Sequence, residues 1–139
     1  MPQKNRIDFS RQNPEKDYIL SNIVTAINEK TDKDGKELMK IANKTGKLLS
    51  KNVTVTKLRK IFNEVKNIKL DDESDCFFKV NMLKSKMAYA AGRFPELKDF
   101  YEIMSTFIDN IGNDMSRLKR FKQYFEAVVA YNRYYSEKE

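Results

Sequence analysis

The chain has 139 residues, of which 40% are hydrophobic and 34% charged, and it contains only 4 Gly, 3 Pro and no His. The lack of histidine removes the usual general base at neutral pH and the commonest metal ligand, which argues against most hydrolytic and metal-dependent enzymes. This length, rich in charge and poor in turn residues, favours an all-α fold, a single-domain compact bundle of about five to six helices over residues 1–139.

The N-terminal segment predicts an arm followed by a helix. Residues 1–12 mix charged and amide side chains without periodicity, so we expect a flexible arm that can order on a partner. Asn13 is a capping residue and Pro14 suits the first helical position, which together predict a helix from there to about Glu29.

The next two helices are predicted from their apolar spacing. Over residues 36–49 that spacing is helical, but Gly46 interrupts it and lysine recurs throughout, which weakens the prediction of a regular helix. Thr54 can cap the following helix, where the apolar residues of segment 55–68 keep the i, i+3, i+4, i+7 pattern of one buried face.

The C-terminal half predicts three further helices. The acidic run at 71–75 suits a loop that leads into a helix N-terminus, and that helix should reach about Arg93. Because Pro95 disfavours helical geometry at the residue before it, we expect a turn there and then a helix over residues 96–111.

A glycine and a capping residue define the last helix. Gly112 should end the preceding helix, and Asn113 or Asp114 can cap the next one, whose apolar stripe runs from residue 118 to a group of tyrosines. Residues 136–139 are expected to form a frayed tail.

The charge of the chain points to a polyanion. The formal net charge is +7 and the pI about 9.4, so nucleic acid is the obvious partner, although an excess of lysine can also serve solubility alone. On the helix after Thr54, the face opposite the apolar stripe carries Arg59, Lys60 and Lys66. Amphipathic helices often carry such residues with no ligand, so this face leaves both interpretations open.

Two further helices carry basic clusters. Lys79, Lys86, Tyr89 and Arg93 fall near one line of a helix, where cations that neutralise phosphates alternate with a ring that a base can stack on. A tyrosine at the core edge among solvated lysines is the alternative. The segment 117–122 places four cations near a helix N-terminus, against the helix dipole, which makes a compensating anion plausible.

Motifs for catalysis are absent from the sequence. The acidic run at 71–75 lacks the EF-hand spacing and its glycine, and the segment 91–93 lacks the glycine pattern of nucleotide loops. The single cysteine, Cys76, cannot form an internal disulfide or a zinc-binding cluster, and its apolar neighbours predict a buried thiol in a reducing compartment. We therefore expect no catalytic residue, no metal and no cofactor.

The sequence contains no apolar run as long as a signal peptide or a membrane span. We therefore expect a cytoplasmic protein outside the membrane.

Three sequence blocks stand at positions 53–59, 87–93 and 121–131. They read Val-Thr-Val-Thr-Lys-Leu-Arg, Met-Ala-Tyr-Ala-Ala-Gly-Arg and Phe-Lys-Gln-Tyr-Phe-Glu-Ala-Val-Val-Ala-Tyr. In this order and spacing they resemble the small, second-subunit family of type III-A CRISPR effector (Csm) complexes. The resemblance covers about residues 53–135. The Lys-rich segment 31–50 departs from the pattern, which leaves open whether its helix is rearranged or absent.

The resemblance implies a helical, non-catalytic subunit that lines a ribonucleoprotein filament and contacts target RNA. The implied partners are target RNA and crRNA, the other Csm subunits and neighbouring copies of the chain, with a homodimer possible in isolation. The third block is mostly apolar, so it should pack between helices or against a neighbouring copy. From the residue patterns and the resemblance together, the candidate RNA-binding residues are Lys57, Arg59, Lys60, Lys66, Lys79, Lys86, Tyr89, Arg93, Lys119, Arg120, Lys122 and Arg133.

Two other function classes compete with this interpretation. A helical protein–protein interaction module without nucleic-acid contact could use the same cations and tyrosines for an acidic protein partner. A nuclease without histidine would need the carboxylates at 71–75 to hold a metal, and it predicts Mg²⁺-dependent cleavage.

Overall fold

The computed structural model describes residues 13–71 and 73–136, and within them it contains six α-helices and no β-strand. This confirms the all-α prediction. The helices are α1 (Pro14–Ile27), α2 (Lys36–Leu49), α3 (Val55–Lys66), α4 (Glu73–Arg93), α5 (Lys98–Asp109) and α6 (Met115–Tyr135), with a 3₁₀ turn, Pro95–Leu97, between α4 and α5.

Side-chain caps begin three of the helices where the sequence predicted them. The Asn13 side chain accepts hydrogen bonds from two backbone N–H groups of α1, at 3.0 and 3.3 Å. The Thr54 hydroxyl accepts from Lys57 N at 3.1 Å, and of the two candidate caps of α6 it is Asp114 that accepts from the first turn. Helix α5 ends at Asp109, two residues before the predicted end at residue 111, and Gly112 lies in the turn that follows with φ +61°, a conformation that favours glycine.

Helix α6 organises the core, with α2 and α3 packed on it and α1 packed on α2 and α5. Its buried side chains include the aromatic part of the third sequence block. The ring of Tyr124 stacks on Phe107 of α5 at 4.5 Å between centroids, and its hydroxyl lies 2.6 Å from the Thr45 hydroxyl of α2. Phe125 lies 5.8 Å from Phe62 of α3. The third block therefore packs between helices of the same chain.

The Lys-rich segment forms a regular helix, α2, and Gly46 is the reason that it fits. Gly46 is buried against α6, and a Cβ atom at this position would lie 2.6 Å from Cβ of Tyr131 and 2.7 Å from the backbone N of Asn132. Glycine thus permits the close approach of two helices. The doubt that the sequence raised about this helix was misplaced.

The sequence predicts mobile residues at both ends of the chain. The arm at residues 1–12 and the tail at residues 137–139 lie outside the described residues. Ser136, which the sequence placed in the tail, is buried and its backbone N–H donates to Asn132 O and Arg133 O. This residue therefore closes α6. None of the described helices is both long enough and apolar enough to span a bilayer.

Candidate nucleic-acid interface

Helices α3 and α4 form an antiparallel hairpin that brings two predicted basic clusters side by side. Lys57, near the start of α3, pairs with Glu96 just after α4 at 3.1 Å. Glu64, near the end of α3, pairs with Lys86 in the middle of α4 at 2.9 Å. The exposed side of α3 and the basic line of α4 therefore share one side of the molecule.

On α4 the predicted line of cations and one ring is exposed as expected. Lys79, Lys86 and Arg93 are exposed, and the Tyr89 side chain is 69% accessible. Lys79 and Lys86 line a cleft of about 260 Å³ between α3 and α4, with the apolar Met82 beside them. A groove with cations along its edge and an open ring suits a polyanionic strand.

On α3 the predicted cations occupy the exposed face. Arg59, Lys60 and Lys66 are exposed, and Lys57 is half-buried with its ammonium 4.3 Å from the centre of the Phe94 ring. The buried side of the same helix carries Leu58 and Val65, as the apolar spacing predicted.

The junction of α3 and α6 brings together cations that lie far apart in sequence. Lys66, Lys119 and Lys122 line one cleft of about 200 Å³. Lys122 donates a hydrogen bond to the Ile68 carbonyl. Burial, and after it the positive charge of Lys69, lowers the pKa of the Lys122 amine. Since the charged form of Lys122 is disfavoured there, a bound phosphate would relieve an existing electrostatic cost.

Lys69 was missed by sequence reasoning. It lies beyond the end of α3, outside the helical spacing that selected the other cations, and only its charge interaction with Lys122 reveals its place. The basic face is the surface that these helices form together, and it consists of Lys57, Arg59, Lys60, Lys66, Lys69, Lys79, Lys86, Tyr89, Arg93, Lys119 and Lys122.

Two predicted residues lie apart from this face. Arg120 is 11% exposed, and its guanidinium donates to the Ala26 carbonyl at 2.9 Å, to the Asp32 carboxylate at 3.0 Å and to the Asp32 carbonyl at 2.6 Å. These contacts explain its position near a helix N-terminus without any external anion. Arg133 is exposed, but it lies 14 residues after Lys119 on α6, about 21 Å away along the helix.

Ion pairs partly neutralise the basic face. Lys57, Lys79 and Lys86 pair with Glu96, Asp75 and Glu64 at 3.1, 2.9 and 2.9 Å. These pairs are exposed or half-exposed, and such pairs contribute only about 0–1 kcal/mol each. A phosphate can therefore replace the carboxylates as the partner of these lysines with little loss of free energy.

The acidic run at the start of α4 has a local structural role. Asp75 pairs with Lys79 one turn further along, and Glu73 and Asp75 both lie in the first turn, where carboxylates interact favourably with the helix dipole. Asp72 lies outside the described residues. In the part of the chain that the structure describes, no three carboxylate or thiol groups are placed to hold a metal ion.

A comparison with models of protein families shows which family this chain belongs to. The family model described as Csm2 Type III-A matches residues 32–138, which is most of the sequence. The chain belongs to this family. The match extends the resemblance to the Csm2 family from about residue 53 back to residue 32, so α2 is part of the family pattern. No significant match was found among curated proteins or among solved structures. Membership of the Csm2 family makes the chain a small structural subunit of a type III-A Csm complex.

Proposed function

We propose that the basic face binds the phosphate backbone of the duplex of crRNA and target RNA inside the Csm complex, and that the subunit acts in the cytoplasm without catalysis of its own. The observation that supports this most directly is the convergence of α3, α4 and α6, which places cations from three separate sequence segments on one side of the molecule. A set of exposed lysines and arginines of this kind is the ordinary means of phosphate recognition.

The chemistry of the basic face favours backbone contact over base readout. Most of its members are lysines, which neutralise phosphates as point charges, whereas base edges are read mainly by bidentate Arg, Asn and Gln. Sequence specificity then comes from pairing between crRNA and target, while the protein reads shape and charge. Weak binding by each copy becomes strong when several copies contact one duplex.

Exposed apolar side chains on the same side of α4 as its basic line support contact with neighbouring copies and other Csm subunits. Phe78 and Met82 lie one turn apart and are 64% and 45% exposed. Neighbouring exposed apolar side chains of this size favour a protein interface in an assembly, and they also favour a homodimer of the isolated subunit. The same observation supports the alternative function, a protein interaction module without nucleic-acid contact.

A salt series tests the basic face directly. We expect the triple variant Arg59→Ala, Lys86→Ala, Arg93→Ala to bind single-stranded RNA more weakly than the wild type. Because each lost phosphate contact removes released counterions, its slope of log affinity against log salt should be smaller by about two units. Fluorescence anisotropy with labelled RNA between low and moderate salt measures both quantities.

The matched control is Lys30→Ala, Lys33→Ala, Lys98→Ala, which removes the same charge at three exposed sites outside the basic face. Its slope should stay at the wild-type value. Equal slopes for the two triple variants, with equal helicity by circular dichroism, would reject the basic face as the RNA site. Binding by neither variant nor wild type would favour the protein interaction module.

A further inference from the structure

Helix α2 carries a row of lysines that the basic face does not include. Counted from Lys36, the lysines follow at intervals of four, four, three and four residues. The first four lie on the side of the helix opposite its buried residues, and Lys51 follows in the turn after the helix. Those on α2 span about 16 Å, which is long enough to contact several consecutive phosphates of one strand. The lysine stripe is this row, consisting of Lys36, Lys40, Lys44, Lys47 and Lys51.

Aromatic rings accompany the lysine stripe. The ammonium groups of Lys40 and Lys44 lie 4.9 and 5.0 Å from the centre of the Tyr18 ring, and that of Lys47 lies 5.7 Å from the Tyr135 ring. The neighbouring Tyr134 is 70% exposed. Lysines beside rings give a surface that can bind phosphates and stack bases at the same time.

The stripe also borders a cleft, and only part of its charge is ion-paired. Three of its lysines and Tyr135 line a cleft of about 330 Å³ between α2 and the end of α6. Among the described residues, only Lys36 and Lys44 of the stripe form ion pairs, at 3.8 Å with Asp34 and 3.1 Å with Glu15. The other three lysines form no ion pair with the described residues, although Glu37 interacts electrostatically with Lys40.

The lysine stripe is separate from the basic face. The cleft that three stripe lysines line is completed by Glu15, Asn43 and Tyr135, so none of its lining residues belongs to the basic face. A row of lysines also fits nucleic acid better than protein, because lysine is depleted in the cores of protein interfaces.

We propose that the lysine stripe, with the rings of Tyr18, Tyr134 and Tyr135, is a second nucleic-acid site that binds a single strand of RNA independently of the basic face. One copy of the chain then holds two strands at once. The inference does not depend on the proposed function, since each surface can be removed without the other.

The test counts oligonucleotides on the full chain. We expect native mass spectrometry with an RNA of about eight nucleotides to show two oligonucleotides bound to the wild type. The variant Lys40→Gln, Lys47→Gln, Lys51→Gln should bind one, because the basic face remains. The variant Arg59→Ala, Lys86→Ala, Arg93→Ala should also bind one, and crosslinks from 4-thiouridine in that oligonucleotide should map to α2 and the end of α6.

The control is Lys40→Arg, Lys47→Arg, Lys51→Arg, which keeps the charge of the stripe and should still allow two oligonucleotides. Retention of both by the glutamine variant would overturn the second site, as would wild-type binding that produces no crosslinks to α2. A third outcome separates the two proposals: the variant of the basic face binds as much RNA as the wild type, and the glutamine variant binds none. That result would support RNA binding by the stripe and would contradict the proposed function of the basic face. A glutamine variant that binds RNA normally but no longer enters the Csm complex would assign the stripe to an acidic subunit instead.

Discussion

Replacing Gly46 with alanine is expected to lower the free energy of unfolding by about 2–3 kcal/mol, in the range typical of overpacked cores. A Cβ atom at this position would lie 2.6 Å from Cβ of Tyr131 and 2.7 Å from the backbone N of Asn132, so α2 and α6 must move apart. Neither atom belongs to the flexible end of a side chain, so the steric clash can be removed only by a displacement of the backbone. Urea denaturation followed by circular dichroism measures the loss.

Gly92 provides the matched control, because it also lies in a helix but has open space around it. Gly92→Ala is expected to raise the free energy of unfolding by up to about 1 kcal/mol, through the better helix propensity of alanine. If both glycine variants are stabilised, α2 and α6 do not approach as closely as the structure shows.

Replacing Asp32 with alanine is expected to lower the free energy of unfolding by about 3–5 kcal/mol, the usual cost of removing one partner of a buried ion pair. The side chains of Asp32 and Arg120 are 5% and 11% exposed, so the guanidinium would lose its charge partner away from water. The Asp32 carboxylate also accepts from Glu37 N and Leu38 N, both at 2.9 Å, so two N–H groups at the start of α2 would lose their partner.

Asp34→Ala is the comparison for this variant. Asp34 lies two residues away and pairs with Lys36 at 3.8 Å, but both side chains are exposed, so its loss should cost less than about 1 kcal/mol. Similar denaturation midpoints for the two variants would show that the pair of Asp32 and Arg120 is not isolated from solvent. The same reasoning makes Arg120 a poor target for tests of RNA binding, because its loss would first damage the fold.

Local rules of sequence predicted most of the helices correctly. Asn13, Thr54 and Asp114 are capping residues whose side chains satisfy nearby backbone N–H groups, and Pro95 and Gly112 constrain the backbone by themselves. Such signals act within a few residues, so they can be interpreted without knowledge of the tertiary structure. The exposed positions of α3 and α4 were predictable for the same reason, since helical spacing separates their buried and exposed sides.

Contacts between distant segments could not be predicted in this way. Gly46 looked like a flaw in α2 because its reason is the backbone of α6, more than eighty residues later in the chain. Arg120 looked like an anion ligand because Asp32 is equally remote in sequence. The lysine stripe did leave a signal, the repeat of three and four residues along α2, but a solvated helix face gives the same repeat. The rings of Tyr18 and Tyr135 that lie beside it come from distant parts of the sequence.

The reactivity of the buried Cys76 thiol can report on local opening of this protein. Its sulfur is fully buried, donates to the Glu73 carbonyl at 3.1 Å and lies 3.7 Å from the Met115 sulfur, at the corner where α4 and α6 begin. A thiol reagent can reach it only when that corner opens, so the labelling rate counts openings beside the α3–α4 hairpin. With no second cysteine in the sequence, every labelled molecule records the same event, and a rate that falls when RNA is added would show that the bound strand holds this corner shut.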